Sequence, residues 1–386
     1  MTDIPQEKIK TLFLCNWYPH RYDLIEGLSA FKQAEMMTQY CDVRVVFVYA
    51  DDKIKKTEII EKNTHGFEEI VIYYPKSKIK FFYIISYFIA YFKAYKTLKS
   101  KKWLPDIIHV NVMTRTGFMA YLYKIFTKTP YVITERWSRY LAQSNTFNGF
   151  FRKKITKLVV RNASVVMPVS NVLKTAMLQH NLKNDNYIVV NNVVDDFFFE
   201  NIEKKDRKKR RILHISCFDE RAKNICGLLD ATKLLSNTRS DFELVIIGTG
   251  KDFEKCYQHF ENLNFPKNTV IFLGKMLPLQ VSQELQNSDL SVIFSNYETA
   301  CVSVLESLAS GVPIIGTPTG IMPESINETN GFIVNFNDVD DLADKMNFIL
   351  NNPNKYDTDK IRKDARIFSY ENVSKQLFEI YKNVLK

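Results

Sequence analysis

Short runs of apolar residues alternate with longer stretches of mixed polar and apolar residues along the whole chain. The apolar runs of the first half lack strict alternation, which predicts strands buried on both faces and therefore a parallel sheet. Alternating strands and helices are typical of a doubly wound α/β domain. We predict strands at 10–15, 43–49, 106–111, 131–134 and 164–170, and helices at 30–40, 81–99, 116–126, 150–161 and 171–180.

The second half repeats this alternation after a charged run, NIEKKDRKKRR at 201–211, which reads as a linker. The run has no interleaved aromatic residues, so we expect no nucleic acid partner. The predicted elements of the second half are strands at 211–216, 242–248, 270–274, 290–295, 313–316 and 332–335, and helices at 225–236, 251–260, 278–287, 299–309, 340–350 and 370–386.

Length and composition fit two domains. The chain has 386 residues, which suits two domains of nearly 200 residues each. Of these residues 46% are hydrophobic, enough to give each domain its own core. Its six cysteines form no C-x-x-C pair, and the polar N-terminus carries no apolar signal segment. We therefore expect a cytoplasmic protein. The nearest candidate for a membrane span, the twelve uncharged residues at 81–92, is too short to cross a bilayer.

Charge is distributed unevenly between the halves. Residues 1–200 carry 29 Lys and Arg against 18 Asp and Glu, whereas the rest of the chain is close to neutral. A basic and aromatic first half suits an anionic membrane surface or a polyanionic acceptor. The alternative is a core helix at 81–99 with a solvated, lysine-rich end.

The segment YETACVSVLESLASGVPIIG, residues 297–316, carries the most informative pair of acids. Its pattern predicts a loop with Glu298, a helix with Glu306, and a stop at Gly311. Free amides at the helix start can hold a phosphate, and carboxylates can accept bonds from sugar hydroxyls. Taken alone, two glutamates at this spacing could equally be a solvated pair.

This segment resembles the signature of the family 4 retaining glycosyltransferases, which have the two-domain GT-B fold. The signature has two glutamates separated by seven residues, then Gly-x-Pro-Val-Ile and a glycine-containing loop. Further blocks resemble the family in the same order along the chain: CNWYPH at 15–20, DIIHVN at 106–111, YVITERWSRY at 131–140, VMPVS at 166–170, NNVVDDFF at 191–198, ISCFDERAKNICGLLDA at 215–231, LVIIGTG at 244–250 and VIFLG at 270–274.

The resemblance implies two Rossmann-like domains facing a central cleft. It assigns residues 1–200 to acceptor binding, 212–368 to the nucleotide sugar, and 369–386 to a helix that crosses back to the first domain. The implied activity is retaining transfer of a hexosyl-type sugar to an acceptor hydroxyl, without a metal or other cofactor. We expect a glycan or lipid-linked acceptor in surface polysaccharide synthesis, with peripheral contact at the inner face of the cell membrane.

The resemblance also implies a donor site in the second domain. Lys223 matches the second member of a basic pair that neutralises the diphosphate, and Arg221 or Cys217 stands for the first. Glu298 resembles the residue that contacts the transferred sugar, and Glu306 the one that binds the ribose. The amides of Thr299, Ala300, Cys301 and Val302, with Ser216 and Gly248 after two strands, complete the expected donor site. Many relatives have Gly at Cys301, whose side chain should tolerate a helical conformation there.

In the first domain, Arg136 stands where many relatives have a histidine near the reacting centre. An arginine cannot accept a proton, but it can hold an anionic acceptor or the donor phosphate. Gly27 is expected either to let the backbone approach a ligand or to serve as a plain turn residue. His109 is expected to support the sheet.

Two other patterns predict no cofactor. Gly248-Thr249-Gly250 lacks the third glycine of a dinucleotide fingerprint, since Phe253 occupies that position. Asp338-Val339-Asp340 reads as a helix N-cap, and no His/Cys cluster has zinc-ligand spacing. The rival functions left open are a nucleotide-sugar epimerase of the same architecture and a non-catalytic binding relative.

Overall fold

The computed structural model describes residues 8–202 and 206–386, which form two compact units. The first unit comprises 8–169, 174–193 and 373–386, and the second comprises 170–173 and the described part of 194–372. Each unit is built on a largely parallel sheet, so the prediction of two doubly wound α/β domains is confirmed. The predicted linker includes residues 203–205, which lie outside the described residues, and its last two residues, Arg210 and Arg211, begin a strand.

The first unit contains a seven-stranded sheet in the order β3-β4-β2-β1-β5-β6-β7. All neighbouring strands are parallel except β3 and β4. The strands are β1 Ile9–Cys15, β2 Cys41–Asp51, β3 Glu58–Thr64, β4 Phe67–Pro75, β5 Ile107–Asn111, β6 Tyr131–Glu135 and β7 Val165–Pro168.

The antiparallel hairpin β3–β4 is absent from the predicted elements. Its turn is His65-Gly66, with φ of 53° and 81°, and β4 reaches the buried interior through Ile70, Val71 and Ile72. Charged residues in and beside the two strands interrupt the apolar alternation that would have predicted them. The short turn with a glycine was the sequence feature that indicated a hairpin.

Helices alternate with most strands of the first unit along the chain, as in a doubly wound α/β domain. The helices α5 and α14 belong to this unit from Lys174 and Val373 onward. The helices are α1 Leu28–Met37, α2 Lys80–Ser100, α3 Met113–Thr127, α4 Phe150–Asn162, α5 Asn171–Gln179 and α14 Tyr370–Leu385.

The second unit contains a six-stranded parallel sheet in the order β10-β9-β8-β11-β12-β13. Its strands are β8 Arg210–Ile215, β9 Phe242–Ile247, β10 Val270–Gly274, β11 Leu290–Ile293, β12 Ile314–Gly316 and β13 Gly331–Ile333. Its helices are α6 Glu220–Lys223, α7 Ile225–Ser236, α8 Phe253–Asn262, α9 Pro278–Gln286, α10 Val302–Ala309, α11 Met322–Ser325, α12 Val339–Asn351 and α13 Thr358–Asp364.

Strand order sets a switch point in each sheet. In the second unit the chain runs outward from β8 to β10 and then returns to the other side of β8 to form β11. In the first unit the corresponding neighbours are β1 and β5. Open parallel sheets bind ligands beyond the carboxyl ends of their strands at such points.

Among the described residues, no helix is both long and apolar enough to span a membrane.

Candidate functional site

The loops that follow β8 and β11 are joined at the switch point of the second sheet. The backbone N–H of Asn296 donates to the carbonyl of Ala222 at 2.8 Å. The Asn296 side-chain amide donates to the carbonyl of Arg221 at 3.1 Å. These bonds hold the loop that carries Glu298 against the short helix α6, which carries Lys223.

Lys223 and Glu298 form a largely buried ion pair across these two loops. The Lys223 ammonium donates to Oε1 of Glu298, and the same oxygen accepts from the Ser295 hydroxyl at 2.9 Å. Burial alone would lower the pKa of Lys223, but the attraction of the Glu298 carboxylate outweighs it and holds that pKa above its ordinary value. Lys223 is therefore a permanent cation at neutral pH.

The end of β8 contains a buried histidine that orients Ser216. His214 is completely buried, with Nδ1 2.8 Å from the carbonyl of Val292 and Nε2 2.7 Å from the Ser216 hydroxyl. Burial, with a smaller contribution from Lys223, lowers the pKa of His214 to about 4. The neutral ring must donate from Nδ1, because a carbonyl only accepts, so the Ser216 hydroxyl donates to Nε2. The lone pairs of Ser216 are left to accept further bonds.

Glycines let the neighbouring loops approach closely. Gly248 has φ of 135°, and a Cβ at this position would lie 1.8 Å from the carbonyl oxygen of Ser216. Gly250 is pressed in the same way against the backbone of Phe218. Gly320, with φ of 57°, faces the Glu298 side chain, where a Cβ would lie 2.9 Å from the Cβ of Glu298. The strand-end loops of β8, β9, β11 and β12 therefore form one tightly packed layer.

The helix after Glu298 begins later than predicted. It starts at Val302 rather than at residue 299, so Thr299, Ala300 and Cys301 lie in the preceding loop. The expectation of a helical Cys301 is wrong, because this residue has φ of 64° and ψ of 85° at the N-cap. That conformation is the one in which a glycine is at ease, which explains the glycine expected from the resemblance. The first free helical amides are those of Val302 and Ser303.

Two further predicted donor residues lie on elements of the same layer. Glu306 is half-buried on α10, and Arg221 is exposed on α6, two residues before Lys223. The structure thus pairs Lys223 directly with Glu298 and places Glu306 on the helix that follows. The predicted roles of the site residues stay predictions. Ser295, Asn296 and His214 were missed by sequence reasoning, although Ser295 ends a predicted strand and Asn296 directly follows it.

In the first unit, Arg136 lies in a cage of amide oxygens after β6. Its guanidinium donates to Oδ1 of Asn111, to Oδ1 of Asn192 at 3.0 Å and to Oε1 of Gln33 at 3.0 Å. All three amide side chains are buried. Within residues 8–202 and 206–386, no carboxylate forms an ion pair with Arg136. Burial lowers the pKa of Arg136 to about 10, so it is charged at neutral pH.

The side-chain acceptors around Arg136 are all neutral amides, so its positive charge is not balanced by them. Three of the five guanidinium N–H groups are used by amide oxygens. Asn111, at the end of β5, accepts from Arg136 while its own Nδ2 is buried with no partner among the described residues. A partly exposed cation beside an unused amide donor is suited to an anionic ligand.

The need for a glycine at position 27 is explained by local backbone geometry. It has φ of 68° at the N-cap of α1, and a Cβ there would lie 2.3 Å from the backbone of Trp17. A role for Gly27 in contacting a ligand stays a prediction. His109 is completely buried, with Nδ1 2.5 Å from the Tyr381 hydroxyl and Nε2 2.7 Å from the Thr134 hydroxyl. Both ring nitrogens are thus engaged inside the unit, as expected of a structural residue.

The patterns set aside for cofactors have structural explanations. Asp338 caps α12, since its side chain accepts from the amide of Asp341 at 3.0 Å. Glu220, Cys226 and Cys256 bring possible metal ligands within 4.8 Å of one another, a proximity that sequence spacing did not reveal. The Glu220 carboxylate already accepts from the amides of Ile225 and Cys226 at the start of α7. That cap accounts for the acid without a metal.

Two family descriptions match consecutive parts of the chain. "Glycosyl transferases group 1" matches residues 195–367, and "Glycosyl transferase 4-like domain" matches residues 82–193. A curated relative, the N-acetyl-alpha-D-glucosaminyl L-malate synthase of Bacillus anthracis, is 27% identical over 253 residues. The match covers 62% of this chain and 64% of that relative, less than two-thirds of its length.

Solved structures agree in fold over almost the whole chain. A sucrose-phosphate synthase from Thermosynechococcus elongatus has a TM-score of 0.75 at 18% identity and covers 97% of this chain and 99% of its own. Anabaena HepE in complex with UDP has a TM-score of 0.74 at 17% identity and covers 97% and 100%. These solved structures show the GT-B fold, and the two family matches show that the chain belongs to the group 1 glycosyltransferases.

Proposed function

We propose that the protein is a retaining glycosyltransferase that moves a sugar from a nucleoside-diphosphate sugar to an acceptor hydroxyl. The observation that carries the proposal is the Lys223–Glu298 ion pair at the switch point of the second sheet. This is where an open parallel sheet binds a nucleotide, and the pair provides a cation for phosphate and an acid for a sugar. Retention of the anomeric configuration is proposed from the family resemblance.

The donor would lie over the layer of strand-end loops. Lys223 and the amides at the start of α10 would stabilise the charge that develops on the diphosphate as the glycosidic bond breaks. A cation and helix amides can do this without a metal, so none is proposed. We assign the donor contacts to Glu306, Lys223, Arg221, Thr299, Ala300, Cys301, Val302, Ser216 and Gly248.

Glu298 would change partners when the donor binds. In the free protein its Oε1 is engaged by Lys223 and Ser295. A diphosphate draws the ammonium of Lys223 toward itself, which frees the carboxylate to accept from hydroxyls of the transferred sugar. The pair therefore holds both groups in place, each satisfied by the other, until the donor arrives.

The acceptor would be an anion held at Arg136. Support comes from the neutral amide cage, which leaves the Arg136 charge without an ion-pair partner in the described part of the chain. The Bacillus anthracis relative is named for malate, a dicarboxylate. We propose that the acceptor of this protein is a glycan or lipid-linked molecule that carries a carboxylate or phosphate.

The substitution Arg136→Gln tests the acceptor assignment. The expected result is a raised KM for a charged acceptor with an unchanged affinity for the donor nucleotide. The KM for a neutral acceptor of otherwise similar structure should rise less, and this comparison is the internal control. A loss of donor affinity instead would assign Arg136 to the donor phosphate.

The first unit would contact the membrane through the start of α2. Phe81 and Phe82 are 66% and 53% exposed there, and Ile85 and Ile89 extend the apolar surface. Residues 76–105 contain eight lysines and no acidic residue. An exposed aromatic surface with surrounding lysines suits the interface of an anionic bilayer. We propose peripheral binding at the cytoplasmic face.

A donor screen tests the function as a whole. Purified protein is incubated with UDP- and GDP-sugars, with and without charged acceptors, and the products are separated and their anomeric configuration is assigned. We expect release of nucleoside diphosphate from one donor, and a product with the donor's anomeric configuration. Glu306→Ala should weaken donor binding. An epimerised donor formed without acceptor would indicate an isomerase, and binding of no nucleotide at millimolar concentration would contradict the proposal.

A further inference from the structure

An apolar cavity of about 480 Å³ lies in the first unit between α2, α3 and the sheet. Leu14 and Val46 form its floor, Ala94 and Leu98 line it from α2, and Leu122 lines it from α3. This volume falls in the range of roughly 300–1,000 Å³ typical of ligand sites. Water needs polar partners to occupy a cavity, so a space lined in this way favours an apolar occupant.

The size of the cavity suits one hydrocarbon chain. A water molecule takes about 30 Å³ of the liquid, and a methylene group is of about the same size. The space therefore accommodates a chain of roughly a dozen carbons or slightly more. An occupant would place hydrocarbon against the buried sheet residues Leu12, Leu14 and Val46, the environment that apolar side chains favour.

Two hydroxyls in the lining, those of Tyr91 and Tyr123, are buried without a hydrogen-bond partner among the described residues. Burial raises the pKa of Tyr123, so its hydroxyl is a neutral donor. A buried donor left unpaired is costly, and an ester or carboxyl oxygen on the occupant would satisfy it.

The mouth of the cavity is aromatic and cationic. Phe92 and Phe126 line the cavity yet are 56% and 81% exposed, so they mark where it opens. The Lys96 ammonium lies 4.8 Å from the centre of the Phe92 ring, and Lys99 is exposed one turn further along α2. Neither α2 nor α3 contains an acidic residue. The surroundings of the mouth are therefore complementary to an anionic head group.

We infer that this cavity binds one hydrocarbon chain of an anionic membrane lipid, with the head group at the lysines of α2. This deepens the membrane contact proposed above, because a chain drawn from the bilayer would anchor the first unit specifically. It does not depend on sugar transfer, since every contact that carries it lies within the first unit. A failure of the glycosyltransferase proposal would leave it standing.

The test uses the full-length protein and a soluble single-chain lipid. Lysophosphatidylglycerol, kept below its micellar concentration, is titrated against protein loaded with the fluorescent fatty acid cis-parinaric acid. We expect saturable displacement at one site. Lysophosphatidylcholine, which lacks net charge, should displace the probe less well. Equal displacement by the two lipids would overturn the assignment of an anionic head group.

Three variants separate the cavity from the exposed surface. Ala94→Phe fills the cavity and should weaken binding by about tenfold or more, because several methylene groups lose their site. Phe126→Asp changes only an exposed residue at the mouth and should also weaken binding, which keeps the test valid if the filled variant misfolds. Phe81→Ser, at the exposed start of α2, is the matched control. It should reduce binding to anionic vesicles without affecting the soluble lipid.

Two results would overturn the inference. One is non-saturable partitioning of the fluorescent fatty acid into the wild-type protein. The other is displacement in Ala94→Phe and Phe126→Asp with wild-type affinity, as long as thermal unfolding shows both variants to be folded.

Discussion

At the scale of single residues, the site of the second unit combines satisfied charges with a strained backbone. Lys223, Glu298 and Ser295 satisfy one another, whereas Cys301 occupies a left-handed conformation with φ of 64°. A non-glycine residue in this region costs about 1–2 kcal/mol. Cys301 is buried and its Sγ lies 3.2 Å from the Ser303 hydroxyl, so packing holds it there.

Substitution of Cys301 tests the need for this conformation. Cys301→Gly removes the strain and should preserve nucleotide affinity within a few fold. Cys301→Val places a β-branched side chain where such residues are rarely tolerated, so the loop must rearrange. We expect nucleotide affinity to fall by about tenfold or more, in line with at least 1.4 kcal/mol of strain or displacement. Calorimetric titration of both variants with UDP measures this. Equal affinity in the two variants would show that the loop conformation does not matter for binding.

At the scale of elements, the strand-end loops depend on glycines that let backbones touch. Gly248 sits at the end of β9 with its Cα against the Ser216 carbonyl, which belongs to the neighbouring loop after β8. The layer that would hold the donor is therefore built by strand order together with close backbone contact.

Gly248→Ala should disrupt that layer. The added Cβ would clash with the Ser216 carbonyl, and φ of 135° is unfavourable for alanine. We expect a loss of at least about 2 kcal/mol in the stability of the second unit. Gly274→Ala is the matched control, because Gly274 also has positive φ, 71°, but open space around its Cβ position. It should lose only about 1 kcal/mol. The midpoints of urea unfolding of the two variants measure this difference in stability. Equal midpoints would contradict the packing argument.

Sequence reasoning identified most elements because their apolar runs are long and bounded by clear stops. The helix α7 and the strand β10 were predicted with the bounds the structure gives. The hairpin β3–β4 was missed because charged residues interrupt its apolar pattern. The Lys223–Glu298 contact joins residues 75 positions apart, and local pattern carries no signal for such a pairing. The left-handed Cys301 was missed because its residue type does not indicate positive φ.

At the scale of the whole molecule, each unit contains a completely buried histidine whose ring resists protonation. Burial holds the pKa of His109 well below its usual value and lowers that of His214 to about 4. In the unfolded chain both have a pKa of about 6.5. Between these values the unfolded state binds more protons than the folded one, so stability falls as the pH falls.

Each of the two histidines should lower the free energy of unfolding by about 1 kcal/mol as the pH falls from about 7 to 5.5. Urea unfolding across this range measures it. The variants His109→Gln and His214→Gln should each reduce the pH dependence, one in each unit. Stability that rises toward pH 5.5, or variants with the same pH dependence as the wild type, would contradict the burial of neutral histidines.

The most direct test of the central claim is calorimetric titration of UDP or GDP, whichever the wild type binds more tightly, into wild-type protein, Lys223→Ala and Lys360→Ala. Lys360 is exposed on α13, outside the strand-end loops, and pairs with Asp364 at 3.0 Å, so it serves as a matched lysine. We predict that Lys223→Ala lowers affinity about 10- to 100-fold, the value of one charged hydrogen bond, while Lys360→Ala binds like the wild type. Wild-type affinity in a folded Lys223→Ala variant would contradict the proposed donor site.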